Sequence, residues 1–399
     1  ENLNLAVETR LVSYGYCAND PYGSTSMPIY QTATFQQPGA TTFGEYDYSR
    51  SGNPTRDALQ NQIASLEGTV GAKCFVFTTG MAGIAAVTRL VKCGEDIIVN
   101  DDSYGGTYRL MSQIATRQGI SVRYINMSGA DGPSRLRNAL LPTTKLVMIE
   151  SPTNPIQRIC NIRELAQVCH SNNHPLGTLL SIDNTMMSPI LSRPLEIGAD
   201  IVIHSATKFL SGHSDTMAGA VTVVNKPEGD KTLGEALYFY QNAEGTALAP
   251  FDSWLILRGI KTMALRVQRQ QENALIIAQW LQSCPKVTIV LYAGLPSHLD
   301  HDLHMTQASG GGAVVCFQTG NFEFSKHIVT TTKLFKITVS FGGVSSLISV
   351  PGQMSHASIP EEVRSERAFP EDLVRMSIGI ESAQDLINDL KNAMDSYSG

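Results

Sequence analysis

The stretch His204-Ser205-Ala206-Thr207-Lys208-Phe209 directly follows the short apolar run Ile201-Val202-Ile203. The run reads as a strand, which puts Lys208 one turn past its carboxyl end, where open α/β sheets bind their ligands. The hydroxyls of Ser205 and Thr207 suit a phosphate, and a lysine amine in that position can form a Schiff base with an aldehyde. Taken alone, the hexapeptide reads more readily as a solvated lysine at a helix start. The rest of the chain reverses that reading.

From about residue 72 to 225 short apolar runs recur, separated by stretches long enough for a helix. They include Cys74-Phe75-Val76-Phe77, Ile97-Ile98-Val99, Val122-Arg123-Tyr124-Ile125, Leu146-Val147-Met148-Ile149, Leu179-Leu180-Ser181-Ile182 and Ala220-Val221-Thr222-Val223-Val224. This rhythm predicts an α/β fold with a mostly parallel central sheet covered by helices. Apolar spacing of three and four predicts helices over 81–90, 108–117 and 162–169, and again near 261–284 and 383–397. Residues 1–50, rich in Gly, Pro, Tyr and Thr, read as an extended arm with little core of its own, suited to docking on a partner subunit. The organisation is therefore an arm over 1–50, a large ligand-binding domain over 51–245 and a smaller α/β C-terminal domain over 246–399. Gly310-Gly311-Gly312 precedes the run Ala313-Val314-Val315-Cys316-Phe317 without a helix start, so it reads as a turn feeding a strand rather than a phosphate loop.

Candidate functional residues follow the ends of these runs. Thr78-Thr79-Gly80-Met81 reads as a tight turn opening a helix, whose free N–H groups favour a phosphate. Tyr104, on the glycine-flanked loop Asp101–Gly106, can stack on a flat ring. In Glu150-Ser151-Pro152-Thr153-Asn154-Pro155 two prolines stiffen the backbone, and Asn154 offers an amide to a phenolic oxygen. Asp183, at the end of the next run, places a carboxylate where it can pair with a pyridinium N–H. Together with Lys208 one strand further on, this set matches what pyridoxal phosphate asks of a protein.

The composition narrows the partners. The 399 residues carry a net charge of -6 and offer neither a basic stripe for nucleic acid nor a basic amphipathic face for a membrane surface. No apolar run approaches the roughly 18 residues of a membrane span. The seven cysteines are odd in number, scattered and never spaced as CxxC, which argues for reduced thiols and against a disulfide framework or a metal site. A small-molecule substrate and further copies of the same chain are the expected partners. The expected location is the cytoplasm, or a plastid if a targeting peptide preceded Glu1.

The motifs in order resemble the Cys/Met-metabolism family of fold-type I pyridoxal-phosphate enzymes. The match runs through Pro28–Phe35, Tyr48-Ser49-Arg50-Ser51-Gly52-Asn53-Pro54-Thr55, Thr79-Gly80-Met81, Tyr104-Gly105-Gly106-Thr107, Ser151–Pro155, Asp183-Asn184-Thr185 and Ser205–Lys208. By that resemblance Lys208 carries the cofactor, Asp183 pairs with its ring nitrogen and Tyr104 stacks on the ring. Gly80, Met81, Ser205 and Thr207 would hold the phosphate, joined by Tyr48 and Arg50 of a neighbouring subunit in a homodimer or homotetramer. Arg375 and Ser340 would bind the substrate carboxylate, with Lys208 the base and Tyr104 an acid for a leaving thiolate. The implied activity is a carbon–sulfur lyase acting on cystathionine, with a related lyase acting on cysteine or methionine as the alternative. The segments 241–245, 248–252, 258–266 and 354–360 resemble β-cleaving plant members, which favours β- over γ-elimination. Ser345 departs from the pattern the resemblance implies: many γ-cleaving members carry glutamate there, and β-cleaving plant members a longer basic residue.

Overall fold

The computed structural model describes residues 5–13, 20–355 and 369–398; residues 356–360 of the last matched segment, and Cys17, lie outside them. Seven strands form the larger sheet: β1 (Lys73–Phe77), β2 (Asp96–Asn100), β3 (Ser121–Ile125), β4 (Thr144–Glu150), β5 (Leu179–Asp183), β6 (Ile201–Ser205) and β7 (Gly219–Val223). Their spatial order is β1-β7-β6-β5-β4-β2-β3. The residues of β2, β4 and β7 are buried throughout, as near-continuous apolar runs should be when helices cover both faces.

Six strands point the same way, and β7 alone runs against both its neighbours, β1 and β6. The reason lies in the connection. A parallel return needs a crossover, usually helical, whereas the chain between β6 and β7 holds only the Lys208 loop and no regular element. The carboxyl ends of β1, β2, β4, β5 and β6 thus share one edge with the amino end of β7. At that edge Gly219 is required, because a Cβ there would overlap the carbonyl of Thr79.

After the two-residue strands β8 (Pro227–Glu228) and β9 (Lys231–Thr232), a five-stranded sheet follows: β10 (Ile289–Leu291), β11 (Val314–Gln318), β12 (Lys336–Ile337), β13 (Leu347–Ser349) and β14 (Val374–Ser377), ordered β10-β11-β14-β13-β12. The helices Met263–Ser283, Phe322–Thr331 and Ala383–Asp395 bury their apolar faces with it in one core. Gly311 approaches the backbone of Gly294 so closely that a Cβ would lie 2.5 Å from its Cα, so the glycine run serves close packing ahead of β11.

Two expectations need correction. The arm is not wholly extended: Val7–Ser13 is a helix whose Arg10 and Leu11 are buried, Leu11 within the same core as Leu59 and Ile63 of the Pro54–Leu66 helix. Val7 and Leu11, four apart, supply the apolar stripe. The predicted helix 108–117 starts earlier, at Gly105, runs as α-helix to Leu110, widens into a π-turn over Met111–Ala115 and ends in a 3-10 turn at Gln118. Met111 and Ala115 of the wide turn are both buried, and since residues four apart share a face in an α-helix too, the apolar spacing does not distinguish the two.

Candidate active site

A cleft of about 930 Å³, counting the space open to solvent, lies over the shared strand-end edge. Gly80, Met81, Tyr104, Asn154, Asp183, Ser205, Thr207 and Lys208, eight residues singled out in the sequence, all line it.

The Gly80–Thr88 helix points its amino end into this cleft. Thr79 caps it, its hydroxyl accepting the Ala82 N–H at 3.0 Å, and this leaves the N–H groups of Gly80 and Met81 for a ligand. Ser205 packs directly on Gly80, where a Cβ would come within 3.2 Å of the Ser205 side chain. Thr207 ties the Lys208 loop to β7 by accepting the Ala218 N–H at 3.0 Å. Phe209 and Leu210, just past Lys208, are buried and anchor the loop in the core.

Lys208 Nζ donates to Ser340 Oγ at 2.7 Å and lies 5.0 Å from the centre of the Phe341 ring. Burial, and then the charge of Arg375, push its amine down to about 8 although Asp183 acts the other way. Arg375 is 2% exposed; its Nη1 donates to Asn154 Oδ1 at 2.9 Å and its Nη2 to the carbonyls of Val339 and Ser340 at 3.3 and 3.4 Å. The Asn154 amide, expected to face a phenolic oxygen, is therefore also the link to Arg375.

Asp183 accepts hydrogen bonds from Thr185 N at 3.0 Å and Thr185 Oγ1 at 2.5 Å, both on Oδ1. Among the described residues it makes no ion pair, and burial raises its pKa. A carboxylate so placed needs a cationic N–H donor to remain ionised. Tyr104 lines the cleft over Gly106, where a Cβ would stand 2.5 Å from the tyrosine ring and 2.9 Å from Met81 Sδ. The site thus has a phosphate-sized set of donors at one end, an aromatic plate, a carboxylate without a cation at the other end and an amine of lowered basicity between them. These residues fit pyridoxal phosphate.

Five expected site residues are not among those lining this cleft, and two of them meet residues that are: Arg375 bonds to Asn154 and Ser340 to Lys208. Tyr48 and Arg50 lie together elsewhere on the surface, the guanidinium 5.4 Å from the tyrosine ring and its Nε donating to Asn242 Oδ1 at 3.3 Å. Ser345 lies beyond Gly342 and Gly343, beside Gly379. Sequence reasoning also missed several residues. Glu150 lines the cleft and accepts the Tyr104 N–H at 2.7 Å. Met186, Met217, Val339 and Phe341 supply its apolar wall. Arg266, buried, donates to the carbonyls of Phe209 and Gly259 at 2.9 and 2.8 Å and packs so tightly on Gly212 (φ +75°) that no side chain fits there. Glu150 opens a motif quoted from the sequence but was given no role there, and its position at the end of an apolar run was the available signal; nothing local marked Arg266.

Comparison with known proteins shows the family. The chain is 55% identical over 378 residues to the chloroplastic cystathionine beta-lyase of Arabidopsis thaliana, covering 95% of this chain and 78% of that protein. It is 52% identical over 377 residues to the chloroplastic cystathionine beta-lyase of Mimosa pudica, covering 94% and 79%. The crystal structure of cystathionine gamma-lyase from Lactobacillus plantarum, complexed with L-serine, superposes with a TM-score of 0.91 at 36% identity over 98% of this chain and 99% of that one. The model of the Cys/Met metabolism PLP-dependent enzymes matches residues 8–395, and the chain belongs to that family.

Proposed function

We propose that this chain is a carbon–sulfur lyase that cleaves cystathionine by β-elimination, releasing homocysteine, pyruvate and ammonia. The observation that carries the reading is Lys208, an amine lowered to about 8 in a cleft that also presents Asp183, Tyr104 and the Gly80–Thr88 helix end. The identity with two plant proteins named for β-cleavage supports the choice of bond.

Pyridoxal phosphate, when bound, supplies an aldehyde that captures the substrate amine and a ring that draws electron density from Cα. The N–H groups of Gly80 and Met81 and the hydroxyls of Ser205 and Thr207 would hold its phosphate. Asp183 would accept a hydrogen bond from the ring nitrogen and favour its protonated form, and Tyr104 would offer its ring to stack on the cofactor. Arg375 binds the substrate carboxylate through its guanidinium, with Ser340 beside it, and this orients the Cα–H bond toward Lys208. Nζ of Lys208, with its basicity lowered to about 8, takes that proton at near-neutral pH. The Tyr104 phenol donates a proton to the sulfur leaving Cβ. Ser345, neutral and short, offers no acidic partner to the distal amine of cystathionine and so gives no reason to expect γ-cleavage.

Tyr48 and Arg50, which do not line their own cleft, are read as reaching the phosphate of a partner subunit, which makes the active unit at least a dimer. The arm's exposed Tyr22, Phe43 and Tyr48 support a partner surface. Arg50→Ala is expected to lower cofactor affinity, read by equilibrium dialysis; unchanged affinity counts against the shared site. No helix among the described residues is long and apolar enough to cross a membrane, and the relatives named chloroplastic support the plastid over the cytoplasm.

The test of the reaction is to incubate the cofactor-loaded protein with cystathionine and identify the keto acid by mass. Pyruvate with homocysteine is expected. 2-Oxobutyrate with cysteine would replace β- by γ-cleavage, and no keto acid at all would remove the lyase reading.

A further inference from the structure

Glu150 is the acid that the mechanism above leaves without a task. It ends β4, lines the cleft and is 7% exposed. Its register partner on β5 is Asp183, so two carboxyl groups stand side by side at adjacent strand ends. Its Oε1 accepts the backbone N–H of Tyr104 at 2.7 Å, and the backbone N–H of Asn154 also bonds to this carboxyl. Asn154 is the residue that meets Arg375. One side chain therefore joins the loops after β2 and β4, which carry the aromatic plate and the arginine contact.

We propose that Glu150 is a positioning residue that stays a neutral acid, fixing Tyr104 and the Asn154 loop by hydrogen bonds while leaving Asp183 to carry the charge that pairs with the cofactor ring. The inference rests on the reading of this cleft as the cofactor site. The groups that face Glu150 favour this state. Asp183 on β5 and Asp102 on the loop after β2 are both acidic, and among the described residues Glu150 forms no ion pair. Burial first, and Asp183 next, hold its pKa well above the ordinary carboxylate range, against the opposing pull of the two backbone donors. Asp183 differs in its surroundings: it has the Thr185 hydroxyl and N–H, with His204 and Lys208 as nearby bases that favour its ionised form. Two adjacent buried carboxyls do not both ionise when a single cation serves them.

A neutral acid and an amide are close in shape, so glutamine should replace Glu150 where a shorter side chain cannot. The wild type, Glu150→Gln and Glu150→Ala are loaded with pyridoxal phosphate. The visible absorption of the bound cofactor is titrated with pH, and the cofactor dissociation constant is measured by dialysis. Glu150→Gln is expected to keep the titration midpoint and the affinity of the wild type. Glu150→Ala is expected to weaken affinity roughly tenfold, the worth of a buried hydrogen bond lost from a positioned loop. If Glu150→Ala does not fold, Glu150→Asp takes its place, since its shorter reach also breaks the Tyr104 bond. A midpoint lowered by about one pH unit in Glu150→Gln would mean a negative charge had been removed, which overturns the neutral state. Unchanged affinity in the shortened variant overturns the positioning role. A wild type that binds no cofactor would instead defeat the reading of the cleft itself.

Discussion

Two lysines, Lys145 and Lys208, are both withdrawn from solvent, yet only one is set up for chemistry. Lys145, near the start of β4, is fully buried but paired with Glu228 Oε1 at 2.9 Å and with the carbonyl of Gly177 at 3.3 Å. Lys208, past the end of β6, forms no ion pair among the described residues, donates to the neutral Ser340 hydroxyl and has the Arg375 cation as a neighbour. Burial alone does not make a lysine a base. A counter-charge within reach stabilises the ammonium form, whereas its absence and a nearby like charge favour the free amine. The two also lie at opposite edges of the sheet: the amino end of β4 is used to bind the β8–β9 ribbon, and the carboxyl ends form the ligand edge.

Exchanging the two lysines' roles tests the contrast most sharply. Lys208→Ala should abolish cofactor colour and lower elimination by at least about a thousandfold, the scale of a lost base; substantial residual turnover would remove Lys208 from its role. Lys145→Ala should leave turnover of the folded enzyme intact. It should lower unfolding free energy by about 3–5 kcal/mol, because Glu228 loses its buried partner. A urea midpoint equal to wild type would show that the pair is only nominally buried.

A smaller effect comes from the charge itself. The unfolded chain holds the Lys208 proton up to about 10.5 and the folded chain only up to about 8, so the unfolded state binds more protons between those values. Lys208 therefore costs the cofactor-free fold stability below about pH 8, and that cost fades as pH rises toward 10.5. Lys208→Met should be more stable than wild type at pH 7 by about 3 kcal/mol, with the gain shrinking by pH 10 in urea titrations. A wild type as stable as the variant at pH 7 would mean that the fold does not lower the basicity of the amine.

Much of the site was legible because strand ends in an α/β sheet converge on one edge. Thr79-Gly80-Met81, Tyr104, Asn154, Asp183 and Lys208 each follow an apolar run, and parallel strands bring such positions together. The reversal of β7 was less visible, since an antiparallel buried strand has the same composition as a parallel one; only the helix-free connection betrays it. Glu150 and Arg266 were not read as site residues because their significance comes from contacts distant in sequence, with Tyr104 at one site and with Phe209 at the other.

The amino-acid sequence by itself determined the α/β class, the order of the strands along the chain and the residue types at their carboxyl ends, because hydrophobic period and turn chemistry are local properties. Only the tertiary structure decided that burial beside Arg375 lowers the basicity of Lys208, that Glu150 stands next to Asp183 and that Arg375 meets Asn154. Those outcomes depend on desolvation and on charges brought together from distant segments, and a local pattern does not specify such distances.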